Sequence, residues 1–296
     1  MAFNWKTFRT RTLTAIVFAA VMLTGLLWNQ WSFLILFSII HFGCWWEYLK
    51  LGEKIYNTSI DKAIKYFFCV SGYILMLTVG LQLYNSSLYW NPLGNTVNFM
   101  LVPVIIVLFC LFAFLYQNNK LPGKLKLFVT VGLIYISLSW GLMIYLYREI
   151  NINIHDTALF IGGFAIPLII ILSIWINDTM AYIVGSLIGK TPLSKISPKK
   201  TWEGTIGGVL LSVGVAGLIS YFVFDSWVIA VFIMILSAIA SMVGTMGDLL
   251  ESKLKRMANV KDSGNIMPGH GGFLDRFDSL LLAIPAVWLY IYFLMR

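Results

Sequence analysis

Residues 227–279 read WVIAVFIMILSAIASMVGTMGDLLESKLKRMANVKDSGNIMPGHGGFLDRFDS. The first 21 of them carry no charge and are long enough to cross the hydrocarbon core of a bilayer as one helix. The next 32 carry ten charges in equal numbers, the acids Asp248, Glu251, Asp262, Asp275 and Asp278 and the bases Lys253, Lys255, Arg256, Lys261 and Arg276. Carboxylates interleaved with cations at the end of an apolar run favour a site that binds a metal ion and a polyphosphate together.

The composition outside this stretch is that of a membrane protein. The 296-residue chain is 59% hydrophobic and 11% charged, whereas soluble domains carry about 25% charged residues. The formal net charge of +8 does not indicate nucleic-acid binding, because most basic residues lie in short segments between apolar runs. Such segments are typical of topology signals and of contacts with anionic lipid. The three cysteines have no metal-ligand spacing and are predicted to be buried apolar side chains.

Apolar runs of about 20 residues predict an all-α polytopic integral membrane protein. We expect nine spans, near 12–28, 31–49, 66–84, 99–117, 127–147, 157–177, 205–224, 227–247 and 277–295, with 178–189 as a candidate tenth, re-entrant or interfacial piece. The first run has a basic flank but no cleavage site, so it is interpreted as a span. A cytoplasmic N-terminus places 19 of the 21 Lys and Arg residues on the cytoplasmic side. Loops 190–204 and 248–276 then face the cytoplasm together and can form one site.

Three acids are candidate metal ligands. Asp275 and Asp278 lie three residues apart at the start of the last span, so both carboxylates share one helix face. Asp248 ends the preceding span and begins a polar stripe with Glu251, Ser252 and Lys255. Hard cations such as Mg²⁺ take oxygen ligands, often one or two carboxylates plus substrate phosphates. The alternatives are helix capping or ion pairing for the pair, and an interfacial acid in contact with water for Asp248.

Other polar residues of the two loops suit phosphate binding. Lysine offers a compact charge and arginine a bidentate fork, although a basic loop held at anionic headgroups is the alternative. The turn around Gly271 and Gly272 lets backbone N–H groups approach an anion, and His270 within it is a candidate for phosphate binding, proton transfer or capping. Asp178 is an acid at a membrane boundary. The substrate-binding candidates are Ser197, Lys199, Lys200, Thr201, Glu203, Ser252, Asp262, Gly271, Gly272 and Asp178, and the catalytic candidates are Asp248, Lys255, Arg256, Lys261, His270, Asp275, Arg276 and Asp278.

Residues 252–278 closely resemble the signature of the phosphatidate cytidylyltransferases, also called CDP-diglyceride synthases. The positions in register are Ser252, Lys255, Arg256, Lys261, Asp262, Gly264, Pro268, His270, Gly271, Gly272, Asp275, Arg276 and Asp278, and the stretches SPKKTWEG and NDTMAYIVG also look like family segments. The resemblance implies that CTP and phosphatidic acid react to CDP-diacylglycerol and pyrophosphate, with Mg²⁺ and K⁺ as a candidate second cation. It also implies Asp248, Asp275 and Asp278 as metal ligands, and an intramembrane homodimer.

These observations divide the chain into residues 1–156, expected to give scaffold, lipid access and candidate dimerisation, and residues 157–296, expected to be catalytic. We expect a bacterial inner-membrane enzyme whose site faces the cytoplasm and meets CTP, phosphatidic acid and membrane lipids, but no nucleic acid. The rival interpretations are another CTP-using lipid enzyme of the polyprenol kinase type, a transporter, and a scaffolding protein. A transporter is disfavoured because the charges cluster at one face, and a scaffold leaves the interleaved acids without a role.

Overall fold

The structure is a computed structural model that describes residues 5–82, 89–90, 97–98, 105, 107, 114, 121–147, 150–154, 157–265 and 271–294. Helices dominate it, with two short antiparallel strand pairs. The helices are α1 (Trp5–Leu27), α2 (Gln30–Tyr56), α3 (Lys62–Gln82), α4 (Gly123–Gly132), α5 (Ser139–Leu146), α6 (Ala165–Ile188), α7 (Trp202–Phe224), α8 (Trp227–Met257) and α9 (Leu274–Leu294), with a π-helical segment, Leu133–Leu138, between α4 and α5. The strands are β1 (Tyr89–Trp90), β2 (Val97–Asn98), β3 (Ile150–Ile154) and β4 (Thr157–Ile161).

Two compact units make up the chain, one of residues 1–145 and 257–276 and the other of residues 146–256 and 277–296. The expected division of roles after residue 156 stays a prediction. Residues 257–276 belong to the first unit, although they lie far from it in sequence. The first unit therefore contains the described residues between α8 and α9, 258–265 and 271–273, which we call the signature loop.

The first unit is organised around α2, which packs against α1, α3, α4 and the π-helical segment. Asn29 caps the start of α2 by accepting hydrogen bonds from the N–H groups of Trp31 and Ser32. Along the helix, the Tyr48 ring stacks on Phe128 with ring centroids 4.2 Å apart. Trp45 is fully buried, and its Nε1 donates to Ser137 Oγ at 2.8 Å. Aromatic packing and a satisfied polar contact thus fix α2 in the unit.

The second unit is organised around the antiparallel pair α6 and α7. A Cβ built on Gly204 would lie 2.6 Å from the Ala181 carbonyl oxygen, and one built on Gly208 would lie 2.7 Å from the Asn177 carbonyl oxygen. One turn further, Ser212 Oγ donates to the Ser173 carbonyl oxygen at 2.9 Å. Small residues spaced four apart let the two backbones approach closely. Within a bilayer the hydrophobic effect does not drive helices together, so helices associate through close packing of this kind.

A buried serine cluster joins α8 to this pair. Ser237 Oγ lies 3.1 Å from Ser212 Oγ, and Ser241 Oγ donates to Ser212 Oγ at 3.2 Å. Further along α8, Thr245 Oγ1 accepts a hydrogen bond from Asn177 Nδ2 at 3.3 Å. These polar contacts hold α6, α7 and α8 in one register.

Within the described residues, seven helices are long and apolar enough to span a membrane, and the chain is an integral membrane protein. They correspond to seven of the nine expected spans. Residues 12–27 form a shorter apolar helix, and the expected span at 99–117 lies outside the described residues apart from isolated positions. Residues 178–188 continue α6, so a separate tenth piece there is wrong. The expected span at 157–177 begins instead at Ala165, because residues 157–161 pair with β3.

We predict that Gly208→Ala destabilises the protein and that Gly214→Ala does not. Replacing glycine by alanine favours the helix by about 1 kcal/mol at either position. Only the Gly208 methyl would meet α6, since nothing lies within 4 Å of a Cβ at Gly214. Overpacking costs about 1–3 kcal/mol, so the apparent melting temperature in detergent should fall for Gly208→Ala alone. Equal melting temperatures for the two variants would contradict the close packing of α6 and α7.

Candidate active site

Two acids of the second unit come together where α8 and α9 touch. Asp248 lies on α8 and Asp278 in the first turns of α9, and their side chains interact electrostatically. The contact is close because Gly247 has no side chain: a Cβ there would lie 2.5 Å from the Asp278 carbonyl oxygen. Asp278 is only 8% exposed. Two neighbouring carboxylates in such a place repel each other when both are ionised, and nearby cations reduce this repulsion.

Two lysines supply this positive charge. Lys200 Nζ forms an ion pair with Asp248 Oδ2, and both Lys200 and Lys255 interact electrostatically with Asp278. Lys255 is itself ion-paired with Glu251, a fully buried acid one turn earlier on α8. Ser252 Oγ donates to the other Asp248 oxygen, Oδ1, at 3.2 Å. Positive charge from two lysines thus lies next to both acids.

The loop before α7 is folded so that Lys200 faces α8. The Lys200 N–H donates to the Ser197 carbonyl oxygen at 3.1 Å, and the Lys200 carbonyl accepts from the Leu193 N–H at 2.7 Å. Thr201 caps α7 by accepting the Gly204 N–H, and the Glu203 carboxylate accepts the Thr191 N–H at 3.1 Å. In this structure Thr201 and Glu203 therefore shape the loop, and Lys199 is exposed beside it.

In the first unit, Asp275 organises the end of the signature loop. Its Oδ2 accepts hydrogen bonds from the Ser263 N–H at 2.8 Å and the Gly272 N–H at 2.7 Å, and it lies 2.9 Å from the Ser263 hydroxyl oxygen. Gly271 has a positive φ of 79°, a conformation that side chains disfavour. The expected capping alternative for Asp275 thus has direct geometric support, and the same carboxylate remains a candidate metal ligand.

Glu47 is a functional candidate that the sequence patterns did not single out. It lies on α2, is 3% exposed, and its carboxylate accepts the N–H groups of Phe273 and Leu274 at 3.0 and 2.9 Å. Ser263 Oγ donates to it at 2.7 Å. An acid inside the apolar run 31–49 was a usable signal, by the same rule that singled out Asp178.

The remaining candidates are mostly at the surface. Asp178 is exposed on α6, next to Asn177, whose amide contacts its Oδ1 at 3.5 Å. His270 lies outside the described residues. The other exposed candidates are Arg256, Lys261, Asp262 and Arg276. In the part of the chain that the structure describes, no three His, Cys, Asp or Glu side chains are grouped as a metal site would require. The pair Asp248 and Asp278 is therefore the observed arrangement closest to the expected ligand set.

The chain is similar to one family of known proteins. A model of the cytidylyltransferase family matches residues 9–294. A phosphatidate cytidylyltransferase of Staphylococcus saprophyticus is 34% identical over 280 residues, which cover 94% of this chain and 96% of that protein. Proteins of the same name from Aquifex aeolicus and Bacillus subtilis are 35% and 39% identical over 209 and 169 residues, covering 69% and 57% of this chain and 72% and 57% of their own lengths.

We predict energetic coupling between Lys200 and Asp248 in a double-mutant cycle. The single changes Lys200→Met and Asp248→Asn each remove the ion pair, but Asp248→Asn also relieves repulsion with Asp278. The coupling energy from the cycle therefore isolates the ion pair better than the change in stability caused by either single substitution. Because both side chains are more than a quarter exposed, we expect only about 0.5–1 kcal/mol in unfolding free energy in detergent. The matched cycle of Lys199→Met with Asp248→Asn should be additive. Equal additivity in both cycles would contradict the pairing.

Proposed function

The chain belongs to the cytidylyltransferase family, and from this premise we propose that it is a phosphatidate cytidylyltransferase that makes CDP-diacylglycerol from CTP and phosphatidic acid. The observation that carries the proposal is the acid pair formed by the partly exposed Asp248 and the buried Asp278, with Lys200 and Lys255 beside it. It lies in a chain that a relative named for this reaction matches over nearly its whole length. The proposed role in phospholipid biosynthesis follows from the product.

The proposed reaction joins two anions. An oxygen of the lipid phosphate attacks the α-phosphorus of CTP, a new P–O bond forms, and the bond from the α-phosphorus to the bridging oxygen of the β-phosphate breaks. Pyrophosphate leaves with that oxygen. A phosphomonoester is already ionised near neutral pH, so the protein needs no strong base, and catalysis depends on positioning and charge neutralisation. This chemistry requires cations close to the reacting phosphates.

The acid pair fits the binding of a divalent cation such as Mg²⁺. Asp278 is buried beside a second carboxylate, and an oxygen donor set of this kind suits a hard cation whose other ligands are water and phosphate. We propose Asp248, Asp278 and Asp275 as the ligands, with K⁺ as a candidate second cation. When bound, such ions would neutralise triphosphate charge and polarise the α-phosphate.

The lysines have two proposed tasks. Lys200 and Lys255 balance the acid pair and present positive charge to the triphosphate, while Ser252 keeps Asp248 in place. The exposed cations Lys199, Arg256, Lys261 and Arg276 are proposed to bind CTP phosphates or the lipid phosphate. Ser197, Thr201 and Glu203 are proposed to act by shaping the loop that holds Lys200. His270, Asp262 and Asp178 remain proposed site residues without an assigned task.

We propose that the protein works in a bacterial inner membrane with nine spans, a cytoplasmic N-terminus and a site facing the cytoplasm. The distribution of the basic residues supports this orientation. CTP and a lipid headgroup can meet only at the aqueous boundary of the bilayer, which agrees with charged loops at that boundary. A homodimer is proposed from the family resemblance alone, with membrane lipids as the surrounding partners.

We predict that purified protein in detergent converts labelled CTP and phosphatidic acid into a lipid-soluble nucleotide and pyrophosphate when Mg²⁺ is present. EDTA should abolish the product, and Asp278→Asn and Asp275→Asn should lower the rate by about 100-fold or more, because charge stabilisation of the transferring group is lost. Asp225→Asn is the matched control, since Asp225 is exposed in a left-handed conformation that asparagine tolerates.

Several results would contradict this proposal. No product from folded protein with intact lipid would contradict the cytidylyltransferase activity, and polyprenol acceptors would be assayed next. Full activity in EDTA would contradict the metal proposal. Near-normal rates for Asp278→Asn would show that the acid pair is not part of the reaction site. Solute flux in proteoliposomes without CTP consumption would favour a transporter.

A further inference from the structure

We propose that Glu47 is a positioning residue that holds the signature loop in its working conformation. The inference rests on the proposed function and assigns a task to a residue of the N-terminal half, which was expected to be mainly a scaffold. Glu47 is an acid on an otherwise apolar face of α2 and is almost completely buried. A buried carboxylate is costly unless donors satisfy it, so its partners indicate its task.

The Glu47 carboxylate accepts hydrogen bonds from three groups, all of which lie in the signature loop or at the first residue of α9. Oε1 accepts the Phe273 N–H at 3.0 Å, and Oε2 accepts the Leu274 N–H at 2.9 Å and the Ser263 hydroxyl at 2.7 Å. The carboxylate thus ties together two points ten residues apart in the loop. The N–H groups at the start of α9 have no partners within that helix, so a negative charge there also stabilises the helix end.

Two glycines of the signature loop leave the space that the Glu47 carboxylate occupies. A Cβ on Gly264 or on Gly272 would run into the Glu47 side chain. One turn before Glu47 on α2, Gly43 leaves room for the Phe273 ring. The absence of side chains at Gly264 and Gly272 is therefore required by a protein carboxylate, whether or not these glycines also approach a substrate phosphate. The α2 surface and the loop fit each other at several points.

Glu47 acts on Asp275 through Ser263. The Ser263 hydroxyl lies 2.7 Å from Glu47 Oε2 and 2.9 Å from Asp275 Oδ2, and its single proton can serve only one carboxylate at a time. The Ser263 N–H donates to Asp275 at 2.8 Å, so moving Ser263 moves a partner of Asp275. Through this relay, Glu47 sets the orientation of an acid that the reaction is proposed to use, without itself touching a substrate.

The test compares Glu47→Gln with Glu53→Gln. Glu53 is a matched control because it lies on the same helix and its carboxylate also accepts a backbone N–H, that of Ile60 at 2.7 Å, and pairs with a side chain, Lys65 at 2.6 Å. Within the described part of the chain, the Glu53 carboxylate makes no hydrogen bond or ion pair with the signature loop. Glutamine keeps the size of Glu47 but offers an NH₂ group to one of the backbone donors, so at least one hydrogen bond is replaced by repulsion.

We expect Glu47→Gln to lower kcat by about 10–100-fold, the usual effect of removing an outer partner of a metal-site acid, with a much smaller change in the KM for CTP. Backbone hydrogen exchange at Phe273 and Leu274, measured without substrates, should accelerate by about tenfold or more. Glu53→Gln should leave both kcat and this exchange unchanged, even if it lowers the melting temperature. A smaller change, Ser263→Ala, should also lower kcat. This variant tests the inference if Glu47→Gln does not fold.

The outcomes separate the inference from the function on which it rests. Unchanged exchange at Phe273 and Leu274 in Glu47→Gln would overturn the inference, and so would faster exchange with an unchanged kcat. An equal loss of kcat in Glu53→Gln would also overturn it, because a general effect on folding would then explain both variants. An inactive wild-type protein would contradict the proposed function alone, and the exchange comparison would still decide whether Glu47 holds the loop.

Discussion

The repulsion between Asp248 and Asp278 is the constraint on which the second unit depends. Their carboxylates are brought together because Gly247 lets the backbones of α8 and α9 touch, and Asp278 is buried there. Such a pair is stabilised by cations beside it or by protonation of one acid, and two lysines supply the positive charge here. Lys255 comes from the same helix as Asp248, but Lys200 comes from a distant loop. The loop must therefore be fixed, and its backbone hydrogen bonds and the cap at Thr201 fix it at the start of α7.

The contact between α6 and α7 also contributes to the position of Lys200. The loop that carries Lys200 joins these two helices, so its ends are set by their contact. Small residues at the contact and the buried serine cluster bind α7 to α6 and α8, the helix that carries Asp248. The position of Lys200 relative to Asp248 is thus consistent with this helix packing.

The sequence predicted what depends on local spacing. The three-residue interval in DRFD, the acid at the end of an apolar run and the adjacent lysines before α7 identified Asp278, Asp248 and Lys200 as site candidates, and the structure brings these three together. Seven apolar runs were also recognised as helices that can span a membrane. The continuation of α6 through residues 178–188 was missed because Asp178 and Thr179 interrupt the apolar pattern, although the helix continues through them.

Glu47 could not be assigned from local pattern because its partners lie more than 200 residues away in sequence. A single acid in an apolar run signals a buried partner but does not identify it. Thr201 and Glu203 were named as substrate-binding candidates because they lie next to the adjacent lysines of the loop before α7. Their hydrogen bonds in the folded loop, to Gly204 and Thr191, come from backbone geometry that composition does not encode.

The proposed divalent-cation site at Asp248 and Asp278 is tested most directly by Mn²⁺ binding, followed by electron paramagnetic resonance. Mn²⁺ takes the same oxygen ligands as Mg²⁺. The account predicts that wild-type protein and Asp225→Asn bind Mn²⁺ with equal affinity and that Asp278→Asn weakens binding by about tenfold or more, because one charged ligand is lost. Equal Mn²⁺ affinity in wild type and Asp278→Asn would contradict the account.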